Sequence, residues 1–211
     1  MTDVSLYTPI TGDAPAPEAA RPRLLVLGTA FASAAVFMGF LGMVGLYIGY
    51  RQEVIGMGET WLPSGVVIPL TQPNMMLATW SLSAATLVWA LVSMKNDDRP
   101  NTYIALGFIM ILGFAYIAQT GYLLSIMDMP LYPTGGDELD ALNRPPLFYG
   151  IIGSHIVMTL AGMAYLAAMG LRTLGGQYSA KDLEGLYGAA FFWFTTYAAY
   201  LLMWYVIYIT K

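Results

Sequence analysis

Cysteine is absent from this chain, histidine occurs once, and acids and bases together make up 10% of its 211 residues. Each scarcity removes a class of chemistry. Without cysteine there are no disulfides, iron–sulfur clusters, thiolate metal sites or cysteine nucleophiles. His155 has no second imidazole to share a copper or zinc ion. The formal net charge is −4 and no basic block suggests nucleic acid. No P-loop, zincin motif, nucleophile elbow or dinucleotide fingerprint occurs. Nor does the start read as a secretory signal, because the first apolar run is too long for one and the segment before it mixes acids with prolines.

What fills the chain is apolar: 57% of residues are hydrophobic. They gather in five runs, about Leu24 to Tyr50, Val66 to Met94, Thr102 to Met127, Pro146 to Leu171 and Leu186 to Ile209. Each exceeds the roughly 20 residues that cross a hydrocarbon core of about 30 Å. They are continuously apolar, without the alternation of a barrel strand, so helices are the choice that satisfies the backbone in lipid. The expected fold class is all-α: a polytopic membrane protein, a bundle of five transmembrane helices occupying residues 23–211. Residues 1–22 are rich in Pro, Ala and acids and read as a flexible cytoplasmic tail.

Lysines and arginines orient the bundle. Arg21, Arg23, Lys95, Arg99, Arg172 and Lys181 share one side, and Arg51, Arg144 and Lys211 the other. The positive-inside rule places the N-terminus in the cytoplasm and the C-terminus outside. The outer loops carry Trp61, Tyr132, Asp137, Glu138 and Asp140. Tyr47, Tyr50, Tyr103, Tyr205 and Tyr208 lie near span ends, where headgroups suit tyrosine.

Within the five runs, the one acid, base or histidine is His155. Proteins that move ions or bind haem or copper in membranes normally keep several such groups there. The pattern points to a supporting subunit more than to a catalyst. His155 shares a helix face with Met158, and such a pair could ligate copper or haem iron. The plainer reading is a neutral imidazole bonded to a neighbouring helix through Ser154, Thr159, Gln119 or a tyrosine hydroxyl. The 14 methionines form no ladder with histidines and read as filler. Gln119 can bond across helices. Asn74, after Pro73, can cap or kink the second span. Small residues crowd the first span (Ala32, Ser33, Ala35, Gly39, Gly42, Gly45, Gly49) and recur in the fourth (Gly150, Gly153, Ser154, Ala161, Gly162). Such faces pack either within the bundle or against a different polypeptide.

Several segments, in order, resemble subunit III of haem–copper oxidases. Trp61-Leu62-Pro63-Ser64-Gly65 matches its W-x-P-x-G loop, followed by Ile68-Pro69 and Pro73-Asn74 entering the next helix. Leu106-Gly107 and Gln119 match its LG…Q helix. Phe148-Tyr149, Gly153, His155 and Gly162 match its histidine-bearing helix, and Phe191-Phe192-Trp193-Phe194 to Tyr208 its final aromatic helix. The resemblance covers about Leu24 to the end and follows the short five-helix bacterial forms. It implies a bacterial inner (cytoplasmic) membrane and an accessory component of a respiratory oxidase, holding no redox centre itself. It implies haem and copper in partner subunits, subunit I-like and subunit II-like membrane proteins as partners, and bound phospholipid.

The departures are equally marked. Ala34 stands at the family's buried glutamate, Tyr122 at a second glutamate, Met158 at a second histidine, and Trp193 and Thr196 at a histidine and an aspartate of the last helix. The proton-related roles of those positions therefore do not carry over. No catalytic, cofactor or metal residue is expected here. The structural, lipid-contact or partner-contact candidates are His155, Gln119, Asn74, Trp61, Gly42, Gly45 and Trp193. A small permease or channel for an uncharged molecule is the alternative, against which stand an odd helix count and no visible inverted repeat.

Overall fold

The computed structural model describes residues 24–62, 66–127, 129 and 144–210. The expected tail at 1–22, Pro63 to Gly65 of the loop motif, and Tyr132, Asp137, Glu138 and Asp140 lie outside the described residues. Five long helices are present: α1 (Leu24–Gly56), α2 (Thr71–Lys95), α3 (Arg99–Ile126), α4 (Arg144–Leu174) and α5 (Glu184–Met203). A π-helical turn, Trp204–Ile209, continues α5. Each of the five spans is long and apolar enough to cross a membrane. The protein is an all-α bundle with polytopic membrane topology.

Helix boundaries differ from the hydropathy reading where polar or proline residues intervene. α1 runs six residues past Tyr50 and carries Arg51 and Glu53 in its last turns. At 33 residues it is about 50 Å long, more than the hydrocarbon needs. α2 begins at Thr71, not Val66. Pro73 sits in its first turn, where a missing N–H costs nothing. Asn74 lies inside that turn, so it is not the cap; Leu70 holds the N-cap position without a side-chain bond.

The α2–α3 and α4–α5 connections are tight. Asp97 takes a left-handed conformation (φ 56°) after α2. Its amide bonds to the Met94 carbonyl and that of Asp98 to the Ser93 carbonyl. This pair of bonds ends α2 in a Schellman motif. Asp98 then caps α3, its carboxylate accepting from the Asn101 amide at 3.3 Å. α4 ends the same way, with Gly176 at φ 73° supplying the left-handed residue.

Packing does not follow chain order. α1 lies mainly against α5 and α4, α2 and α3 form the closest pair, and α5 also meets α2 while α3 meets α4. α5 thus has neighbours on three sides. Ties at both ends fix this arrangement. At the end where α1 begins, the Glu184 carboxylate accepts from the Leu25 amide at 2.7 Å, and the Asp97 carboxylate from the Ala180 amide at 2.9 Å. The first of these satisfies an orphan N–H at the start of α1 with a negative charge suited to a helix N-terminus. At the opposite end the Arg51 guanidinium donates to the Thr210 carbonyl. Trp61 folds back from its loop and donates to the Tyr47 hydroxyl at 2.8 Å.

The tyrosines near span ends divide. Tyr50 and Tyr205 are exposed, as headgroup anchors would be. Tyr47 and Tyr208 correct that expectation: both are fully buried in the bundle.

Candidate functional site

His155, Tyr116 and the Thr196 carbonyl meet inside the bundle. His155 lies on α4 with none of its surface exposed. Its Nε2 is 3.0 Å from the Thr196 carbonyl of α5, which can only accept, so Nε2 carries the proton. Nδ1 then keeps its lone pair, and the Tyr116 hydroxyl of α3 donates to it at 2.7 Å. This is the pattern of a neutral imidazole, the form a charge-poor interior favours. One ring therefore joins three helices, each nitrogen satisfied.

Aromatic rings enclose the pair. Trp80 of α2 lies 5.5 Å from the His155 ring centroid and 5.3 Å from that of Tyr116. Tyr200 of α5 stands 5.6 Å from His155, and Phe40 of α1 at 6.0 Å. Most meet edge to face, the favoured arrangement for aromatic quadrupoles. The polar rims of these rings are satisfied across helices. The Tyr200 hydroxyl donates to the Pro73 carbonyl at 2.7 Å, in the first turn of α2. Trp193 is fully buried, donates through Nε1 to Ser83 Oγ at 3.1 Å, and leans on Trp80 at 5.0 Å.

The remaining candidates do not join this cluster. Gln119 bonds across to Thr79 of α2 at 3.1 Å, while the Thr79 hydroxyl donates to the Met75 carbonyl. Asn74 accepts from Trp204 Nε1 at 2.9 Å and so ties the start of α2 to the π turn. Trp61 is buried near the end of α1, edge-on to Tyr47 at 5.1 Å. Gly42 and Gly45 are exposed, and a side chain at either would meet nothing among the described residues. The reading that the first-span glycines pack within the bundle is thereby corrected. α1 holds its neighbours through Ser33, Phe40, Val44, Tyr47 and Val54, and turns its small residues outward. In α4, Gly162 is the glycine in close packing, against Trp193, while Gly150 and Gly153 face open space.

Sequence reasoning missed Tyr116, Trp80 and Tyr200. A signal existed: indole and phenol groups normally gather at span ends, and these lie well inside their helices.

A metal does not fit this site. Among the described residues no three His, Cys, Asp or Glu side chains converge. Met158 is buried beside His155 on α4, but both imidazole nitrogens already have partners on other helices. Replacing His155 by Leu removes one cross-helix acceptor and strands the Tyr116 hydroxyl. The expected loss is about 1–2 kcal/mol of bundle stability. Reversible unfolding in mixed micelles measures it, and an unchanged midpoint would show that the two bonds contribute nothing.

The positions that depart from the oxidase pattern are also placed. Ala34 and Tyr122 face outward, whereas Met158, Trp193 and Thr196 are buried. No family model matches the chain. Against individual proteins it is 27% identical over 160 residues to cytochrome c oxidase subunit 3 of Drosophila yakuba. The corresponding subunit of Salmo salar is 25% identical over 156 residues, and that of Petromyzon marinus 26% over 156 residues. These matches take in 72–73% of this chain, which spans about 56% of the length of each relative. The protein is thus distantly similar to that family.

Proposed function

We propose that this chain is a subunit III-like accessory component of a respiratory haem–copper oxidase complex. It braces a subunit I-like catalytic protein beside a subunit II-like one and retains phospholipid during electron transport. The haem and copper belong to those partners. The membrane is the bacterial cytoplasmic membrane, with the N-terminus inside.

The observation that carries this reading is the similarity to cytochrome c oxidase subunit 3 over 160 residues. Two features of the bundle support it. The imidazole at its centre is engaged in holding helices together. Two apolar grooves open near the inner end, one between α1, α4 and α5 at Gly28, Ala32 and Ala161, the other between α3 and α4 at Gly107, Ala167 and Gly170. Grooves lined by small residues at that depth suit acyl chains.

The test is purification of the tagged protein from its native membrane, with a reduced-minus-oxidised spectrum and identification of what accompanies it. Haem bands with an oxidase-type catalytic subunit are the expected result. A colourless, solitary protein would overturn the reading and bring the permease forward.

The outward face of α1 gives a sharper expectation. Gly42→Leu or Gly45→Leu leaves the isolated chain's stability unchanged, since each side chain would project into open space. Close helix approach to a partner would be blocked, so recovery of the catalytic subunit should fall about tenfold or more. Full recovery with both variants would remove α1 from the interface.

A further inference from the structure

The accessory role makes no use of the chemistry that Tyr116 and His155 can perform together. A phenol that loses an electron becomes strongly acidic and must release its proton at once. In this bundle the proton cannot reach water from Tyr116, which is 1% exposed. The other described tyrosines with bonded hydroxyls have partners that cannot take it. Tyr200 donates to the Pro73 carbonyl, Tyr149 to the Met129 carbonyl, Tyr103 to the Thr173 carbonyl and Tyr178 to the Met169 sulfur. Tyr165 and Tyr197 share theirs with the hydroxyls of Thr29 and Ser81, and Tyr47 accepts from Trp61. Among the described tyrosines, Tyr116 alone has its hydroxyl bonded to a basic nitrogen, the single imidazole of the chain, at 2.7 Å.

We propose that Tyr116 and His155 form a proton-coupled redox pair, which receives an oxidising equivalent through Tyr197 and Trp80 and holds it as a neutral tyrosyl radical. Tyr197 lies on the α2–α5 side, half-buried, with its hydroxyl bonded to the exposed Ser81 at 2.8 Å. Its ring stacks at 10° on Trp80, centroids 6.1 Å apart, and Trp80 stands 5.3 Å from Tyr116. The electron moves outward along these rings to a one-electron oxidant of the high-valent metal–oxo or peroxyl class. As it leaves, the O–H bond of Tyr116 breaks and the proton binds His155 Nδ1. The products are a neutral phenoxyl and an imidazolium whose Nε2–H remains on the Thr196 carbonyl. That bond strengthens when its donor becomes charged. A one-electron reductant later restores the phenolate, which recovers its proton from Nδ1. The pair would thus drain oxidising equivalents into the bundle and away from less recoverable side chains.

The experiment uses the full chain, purified in micelles, with flash-generated tris(bipyridine)ruthenium(III) as oxidant and persulfate as the sacrificial acceptor. Samples frozen after the flash are read by electron paramagnetic and electron–nuclear double resonance in H2O and D2O. A buried tyrosyl radical with one strongly coupled exchangeable deuteron at its oxygen is expected. Tyr116→Phe, which keeps the ring, abolishes it. In His155→Gln the amide oxygen still accepts the hydrogen bond but not the proton, and the yield should fall by about a hundredfold, the scale of a lost general base. Tyr197→Leu slows arrival without changing the spectrum of the radical that forms. A signal that survives Tyr116→Phe, or one spread over exposed tyrosines without the coupled deuteron, overturns the proposal. So does an unchanged yield in His155→Gln. Should that variant fail to fold, the wild-type deuteron coupling and the Tyr116→Phe spectrum decide alone.

Discussion

Replacing Trp80 by alanine is expected to cost about 3–5 kcal/mol of bundle stability, the range for removing a large buried ring. The indole is 1% exposed and touches rings from three other helices: Tyr116 on α3, His155 on α4, and Trp193, Tyr197 and Tyr200 on α5. In a bilayer the usual transfer term is small, because a separated helix leaves its side chains among lipid tails, not water. The cost comes instead from the void, whose walls lose their dispersion contacts. Rings that lean on one another cannot all collapse into the gap. Trp80→Phe should recover part of the loss by refilling half the space. Unfolding midpoints of both variants in mixed micelles provide the measurement. A loss below about 1 kcal/mol for alanine, as at an ordinary surface position, would show that the cluster repacks freely.

Gly162→Leu is the second large effect and has the opposite cause. A Cβ there would sit 2.9 Å from Cε3 of Trp193 and 3.4 Å from Cδ1 of Phe192. Trp193 has no room to yield. It is fully buried, its indole N–H is tied to Ser83, and its ring lies against Trp80. Alanine already meets this wall, and leucine must push α4 away from α5. Overpacking of this sort costs about 1–3 kcal/mol, and the rigid neighbour places this variant at the upper end. Gly150→Leu, on the same helix but facing open space, is the control and should stay within about 0.5 kcal/mol. Equal effects at the two positions would mean that helix propensity, not the Trp193 contact, governs both.

The five helices were legible because continuous apolar length is nearly sufficient evidence of a span. Boundaries were less so. The end of α1 was hidden by Arg51 and Glu53, which interrupt hydropathy but not hydrogen bonding; a long basic side chain at that depth reaches polar groups while its stem stays in the apolar layer. Val66 to Leu70 read as helix because they are apolar, although the helix starts only at Thr71. Helix rotation was the harder matter. Gly42 and Gly162 look alike in the sequence, yet one faces out and the other receives an indole. In a membrane both faces are apolar, so no polar stripe marks the outer side. The same ambiguity hid His155's partner: a tyrosine hydroxyl was among the possibilities, but choosing among 15 tyrosines requires knowing how α3 is turned.

The pairing of α1 with α5 has a consequence for the order in which this protein can be completed. Of the five helices, the earliest, α1, finds its principal neighbour in the latest, α5, and α2 and α3, which pair with each other, are made in between. At about 5–20 residues per second, the ribosome leaves α1 waiting in the bilayer for several seconds or more. Through that interval the side of α1 that α5 will cover has lipid, or an insertion chaperone, to rest against, while Tyr47 already has Trp61 and Phe40 waits for His155 of α4. The clasps from Glu184 to Leu25 and from Thr210 to Arg51 then close only once α5 is in place. A chain interrupted before α5 would display the face of α1 that α5 covers, a mark by which membrane proteases could recognise it.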